Sequence, residues 1–119
     1  MGLKERLRDL SKTSVEQEAD ALRLQSESEG GDDLTALAQR HPACVAGTVR
    51  TVTLPPRRSV PALVAEVWDG NGAVNLVWIG RRRIGGIEPG TFLRARGRVA
   101  LVRGVPTIFN PTYEIVPTK

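Results

Sequence analysis

One cysteine (Cys44) and one histidine (His41) are all that 119 residues offer of those types. That scarcity excludes a disulfide framework and any zinc site built from several Cys and His ligands. With no disulfides the chain suits a reducing compartment, and the expected location is the cytoplasm. No run approaches the roughly 18 apolar residues of a membrane-spanning helix. The amino terminus lacks the apolar core of a secretory signal. Signs of catalysis are equally sparse. No glycine loop leads into Lys-Ser/Thr, and the glycines between Gly80 and Gly86 lack phosphate-cradling spacing. Beyond residue 40 the only acids are Glu66, Asp69, Glu88 and Glu114, scattered over separate elements. His41 precedes a proline and has no evident partner, which suits a surface or capping role better than general-base work. The chain therefore reads as a nonenzyme, with no catalytic residues, no metal and no cofactor.

Other absences divide the chain in two. Residues 1–40 contain no proline and a single Val or Ile, whereas residues 41–119 contain all eight prolines and seventeen Val plus Ile. Charge divides at the same place. The first stretch has six Lys/Arg against nine Asp/Glu, a net of −3, and the second has eleven against four, a net of +7. The length suits one domain, so the expected organisation is an acidic arm over 1–40, helical or partly disordered, followed by a basic β domain over 41–119.

Within the arm, Leu3, Leu7 and Leu10 have helical spacing, and Ser11-Lys12-Thr13-Ser14 interrupts it. Thr13 with Glu16, or Ser14 with Gln17, offers a capping box for a second helical segment carrying Val15, Ala19 and Leu22. Ser26 to Gly31 reads as a linker. Asp32 or Asp33 then caps a short helix through Leu34, Leu37 and Ala38, which ends before His41-Pro42. Stripes this thin must dock on something or stay partly disordered.

From Cys44 the apolar period becomes two. Val45, Gly47 and Val49 form one phase, and a slip then places Val52 and Leu54 in it, as a bulge would. Cys44 reads as a small packed hydrophobe of this strand. Pro55 to Ser59 is a loop. A second strand runs from about Pro61 to Asp69, with Leu63, Ala65 and Val67 inward and Val64, Glu66 and Trp68 outward. Asp69-Gly70-Asn71-Gly72 signals a hairpin. In the third strand Val74, Leu76 and Trp78 face in, opposed to Asn75, Val77 and Ile79. A nonstrand connector, Gly80 to Gly90, leads to a fourth strand over Thr91 to Val102, with Arg94, Arg96 and Arg98 outward. A fifth covers Val105 to Asn110, and the chain closes through Tyr113 to Val116. Phe109 and Tyr113 are expected to close the barrel bottom, with the groove edge as the other option.

Five strands in this order, the first long and bulged, fit the Greek-key barrel called the OB-fold. Residues 45–50 (Val-Ala-Gly-Thr-Val-Arg), 65–78 (Ala-Glu-Val-Trp-Asp-Gly-Asn-Gly-Ala-Val-Asn-Leu-Val-Trp) and 88–99 (Glu-Pro-Gly-Thr-Phe-Leu-Arg-Ala-Arg-Gly-Arg-Val) resemble anticodon-binding-type OB domains. The chain as a whole is similar to the small stand-alone OB-fold nucleic-acid-binding proteins of actinobacteria. The resemblance implies a bacterial protein that binds single-stranded DNA or RNA on the face of strands two and three. Trp68 would be the stacking platform, unless the arm or a second subunit covers it. Arg50, Arg57, Arg58, Arg81, Arg82 and Arg83 would grip phosphates, and Glu66 and Asn75 would meet base edges. Five aromatics in the chain limit stacking to one or two bases. Arg94, Arg96 and Arg98 form a separate ladder, some of which could pair with the acidic arm. The competing expectation is a protein-interaction or oligomerisation module, with the arm as a lid or an assembly element.

Overall fold

The computed structural model describes residues 3–37, 40–56 and 60–117, and for residues 3–13 the backbone alone. One helix, α1 (Leu3–Ser28), and a 3-10 turn (Leu34–Ala36) precede six strands: β1 (Pro42–Thr53), β2 (Ala62–Trp68), β3 (Ala73–Ile79), β4 (Phe92–Val102), β5 (Val105–Phe109) and β6 (Thr112–Ile115). The helix corrects the expectation of two segments and a linker. No glycine or proline occurs between residues 3 and 29, and the hydroxyl residues at 11–14 lower helix propensity only by tenths of a kcal/mol each. The chain turns only at Glu29 and Gly30, where Gly30 has a φ of 77°. The short helix after it proves to be a single 3-10 turn, and Ala38 lies outside the described residues.

The sheet is mainly antiparallel and closes on itself in the order β1-β2-β3-β5-β4, with β4 returning to β1. One pair, β3 with β5, is parallel. Closure depends on the length of β1. Its first half pairs with β4, from Pro42↔Arg98 to Thr48↔Phe92, and its second half pairs with β2, from Thr48↔Trp68 to Thr53↔Val64. The hand-over is tight. A Cβ on Gly47 would stand 2.5 Å from the Trp68 carbonyl oxygen, so only glycine lets the two strands approach there. Just beyond it the register slips between Val49 and Thr51, leaving Arg50 as the extra residue of a bulge. The phase slip read from Val49 to Val52 thus corresponds to a bulge at Arg50.

Alternation holds on the core strands. Leu63, Ala65, Val67, Val74, Leu76, Trp78, Leu93, Ala95, Val99 and Ile108 are buried in one cluster. Leu34 enters this cluster from the 3-10 turn, and Ile87 enters it from the connector after β3. Trp78 is 6% exposed, and its Nε1 donates to the Pro111 carbonyl at 3.3 Å. Three expectations need correction. A sixth strand, β6, adds to the outside of the ring by pairing with β4, from Leu93↔Ile115 to Arg96↔Thr112. Of the two places expected for Tyr113 and Phe109, the bottom of the closed ring is not the one they take, being 40% and 46% exposed; Tyr113 lies edge-on to Trp78 at 5.6 Å. Cys44 lies in the outward phase and is only half-buried.

One carboxylate ties the arm to the β2–β3 hairpin. Asp69, fully buried between β2 and β3, accepts at Oδ1 from the Asn71 and Gly72 N–H groups, each at 2.8 Å. Its Oδ2 accepts from Arg23 Nη1 of α1 at 2.6 Å and from the Leu34 N–H at 3.2 Å. Helix, 3-10 turn and hairpin therefore meet at a single side chain. Gly70 completes the junction. Its φ is 98°, and a Cβ there would lie 2.4 Å from the Ala19 carbonyl oxygen. Further along, Gly31 fits between Ser26 and Ala46 of β1, which is fully buried although its phase points outward. Glu29 reaches Arg94 of β4 at 3.3 Å. Arg94 of the ladder does pair with the acidic arm, and also with Glu114, which holds its guanidinium charged more firmly still.

The 3-10 turn has a pH-sensitive start. Both the Thr35 hydroxyl and the Thr35 N–H donate to Asp33 Oδ1, and these bonds hold its carboxyl below its ordinary value of 3.8. A carboxyl depressed in the folded state adds stability that is present above the unfolded value and is lost as pH falls through the folded one. Thermal melts across the acid range should therefore fall less steeply below about pH 4 for Asp33→Asn than for the parent chain. Equal slopes would remove Asp33 from the acid response.

Candidate nucleic-acid interface

The outer face of β2 and β3 carries the residues singled out from sequence, and the strand register sets their spacing. Glu66 pairs with Asn75, and Trp68 pairs with Ala73. Asn75 continues across to Thr107 of β5, and Val77 continues to Phe109. Arg50, in the outward phase of β1, lies on the same face. Its guanidinium carbon stands 4.2 Å from the centroid of the Trp68 ring, a cation–π stack. Its Nη1 lies 3.7 Å from Glu66 Oε1, too long for a strong ion pair, and both side chains remain substantially exposed. Arg50 continues the outward phase of Ala46 and Thr48, and the bulge at this position sets Thr51 rather than Arg50 opposite Glu66.

Trp68 is half-buried, and the described ring contact on it comes from Arg50. The arm meets the hairpin through Arg23, Arg94 through Glu29 and Ala46 through Gly31, and no contact of it with Glu66, Trp68 or Asn75 is observed among the described residues. The arm is thus docked beside the face, and the expected lid over it is not observed among the described residues. Phe109 takes the second of the two places the sequence allowed it, the edge of the groove. Ile108 fills the core opposite Leu76, so its neighbour Phe109 must point outward beside Val77. Strand phase at Ile108 was the signal available. Trp68 and Phe109 are separated by four register steps, about 13 Å along the strands.

Of the other described arginines expected at the face, none is seen against Trp68. Arg81, Arg82 and Arg83 are exposed beyond the far end of β3, and have no ion-pair partner among the described residues. The Gly80 N–H donates to the Pro61 carbonyl at 2.7 Å, which ties that end to the loop between β1 and β2. Arg57 and Arg58 of the loop lie outside the described residues. The face therefore runs from the Arg50–Trp68 stack, across Glu66 and Asn75, past Phe109, to a basic end.

Two shallow hollows lie elsewhere. One of about 250 Å³ is lined by Arg94, Arg96, Thr112, Tyr113 and Glu114. The other, about 330 Å³, lies between the 3-10 turn and the start of β1, near Asp32, Leu37 and His41. Among the described residues no group of His, Cys, Asp and Glu is placed to hold a metal ion, and no helix is long and apolar enough to cross a membrane. In comparison with known proteins, no family model matches the chain and no curated protein is similar to it.

Proposed function

We propose that the chain is an OB-fold protein of the bacterial cytoplasm that binds single-stranded DNA or RNA on the outer face of β2 and β3. The reading as an OB-fold is supported by the ring order β1-β2-β3-β5-β4 with its parallel β3–β5 pair and its long, bulged first strand. The observation that carries the ligand is the Arg50–Trp68 stack on an otherwise sparsely charged sheet face. A guanidinium lying flat on an indole is already ordered, and its outer surface accepts a base while its edge donates to a phosphate. Glu66 lies only loosely against Arg50, and an incoming phosphate takes its place. Asn75 has both a donor and an acceptor to offer a base edge. Phe109 supplies a second ring, and Arg81 to Arg83, with Arg57 and Arg58 of the adjoining loop, draw the backbone toward the basic end. The net +7 of residues 41–119 favours association at long range.

Indole fluorescence titrated with short single-stranded oligonucleotides tests this reading. Binding should quench emission, and the quench should persist in Trp78→Phe, because Trp78 is buried and Trp68 is not. Affinity should fall steeply between low and physiological salt, with a slope set by the phosphates contacted. No quench at low salt with either DNA or RNA would remove nucleic acid as the ligand.

A further inference from the structure

From Ser14 onward, the side of α1 turned away from the sheet has no partner among the described residues. Docking uses Ala19, Arg23 and Ser26, which share one side of the helix. On the opposite side Ser14, Gln17, Ala21 and Leu24 are exposed, Leu24 by 67%. These four positions follow alternating steps of three and four. The same steps continued along the sequence reach Leu10, Leu7 and Leu3, and forward Ser28. That is an a/d heptad series spanning the whole of Leu3–Ser28. Helices of this length gain most of their stability from packing an apolar seam, and the described part of this one, from Ser14 to Ser28, is exposed.

Charge along the helix decides what fills it. Residues 3–15 carry four Lys/Arg against two Asp/Glu, a net of +2, and residues 16–28 carry one against four, a net of −3. A parallel copy would set like against like. An antiparallel copy sets each half against its complement, and full overlap gives a register in which Leu7 meets Leu24 of the second copy and Leu10 meets its Ala21. Ser14 then meets Gln17, so the two polar seam positions pair with each other at the centre, as register-setting residues do. In this register the flanking Arg6 faces Glu27 of the other copy. We infer that α1 is the interface of an antiparallel homodimer, with the two barrels on the outer sides of the helix pair and both β2–β3 faces left open.

Sedimentation of the full chain across micromolar to submillimolar concentration tests this. The parent chain should be a dimer, and Leu24→Glu should be a monomer with its barrel circular dichroism intact, since Leu24 makes little contact with the rest of its own chain. Arg6→Glu should raise the dimer dissociation constant by about tenfold, because two symmetry-related attractions become repulsions. Adding Glu27→Arg to it should restore the parent value. A monomeric parent chain, or a Leu24→Glu variant that still dimerises, would overturn the interface. Failure of Glu27→Arg to rescue would overturn the antiparallel register. None of these outcomes depends on the nucleic-acid reading, which Trp68 fluorescence tests separately.

Discussion

Replacing Asp69 with alanine is expected to cost the fold about 3 kcal/mol, the largest single effect of any polar substitution in the described chain. The side chain is fully buried and accepts four hydrogen bonds from three segments. Alanine removes the acceptor of all four donors at once. The Leu34 N–H is left in a buried site with nothing to bond, at about 1–3 kcal/mol. Arg23 is less exposed to loss, because its Nη2 already reaches Glu27 at 3.0 Å and 17% of its side chain meets water. That retained solvation is why the estimate sits at the low end for a broken buried pair. Against a total stability of about 5–15 kcal/mol, such a loss lowers the urea midpoint markedly. It should also free the arm before the barrel, so that amides of α1 near Arg23 lose exchange protection while those of β3 retain it. A loss below about 1 kcal/mol would mean that the junction is held by packing around Leu34 and not by the carboxylate.

The second large effect is expected in binding. Trp68→Ala should weaken oligonucleotide affinity roughly 5- to 150-fold, the span corresponding to about 1–3 kcal/mol for one stacked base. Arg50→Ala should have an effect of similar size, and Arg50→Lys should recover only part of it. A lysine keeps the charge but cannot lie flat on the ring. Because the two side chains are stacked, their losses should not add. The double variant should bind only slightly more weakly than the worse single one. Full additivity would mean that Arg50 and Trp68 meet separate parts of the ligand. Glu66→Gln should tighten binding modestly by releasing Arg50 from its neighbour.

Much of this face is legible in sequence because strand periodicity needs only local information. The alternation that hides Leu63, Ala65 and Val67 assigns Trp68 to the outside, and the same rule puts Trp78 inside. The slip at Arg50 is visible because the inward phase resumes one residue out of step at Val52. The arm is harder to read. Its serine and threonine residues at 11–14 imitate a helix boundary, and the absence of glycine and proline up to residue 29 outweighs them. Asp69 reads as an ordinary turn residue, since its partner Arg23 lies 46 positions away and nothing in the spacing links them. Gly70 is likewise explained by the hairpin alone, although the approach of Ala19 demands it independently. The sixth strand was visible as an apolar-polar run from Tyr113 but had no local signal for pairing with β4. Long-range contacts of this kind are what a single sequence conceals.

The central claim is that nucleic acid lies on the outer face of β2 and β3, and amide chemical-shift mapping tests it most directly. On titration with a short single-stranded oligonucleotide, the largest shifts should fall on Arg50, Glu66, Asn75 and Phe109 and on the Trp68 indole N–H, with smaller shifts at Arg81 to Arg83. Shifts centred instead on Arg94, Arg96 and Tyr113, or no shifts at low salt, would contradict it.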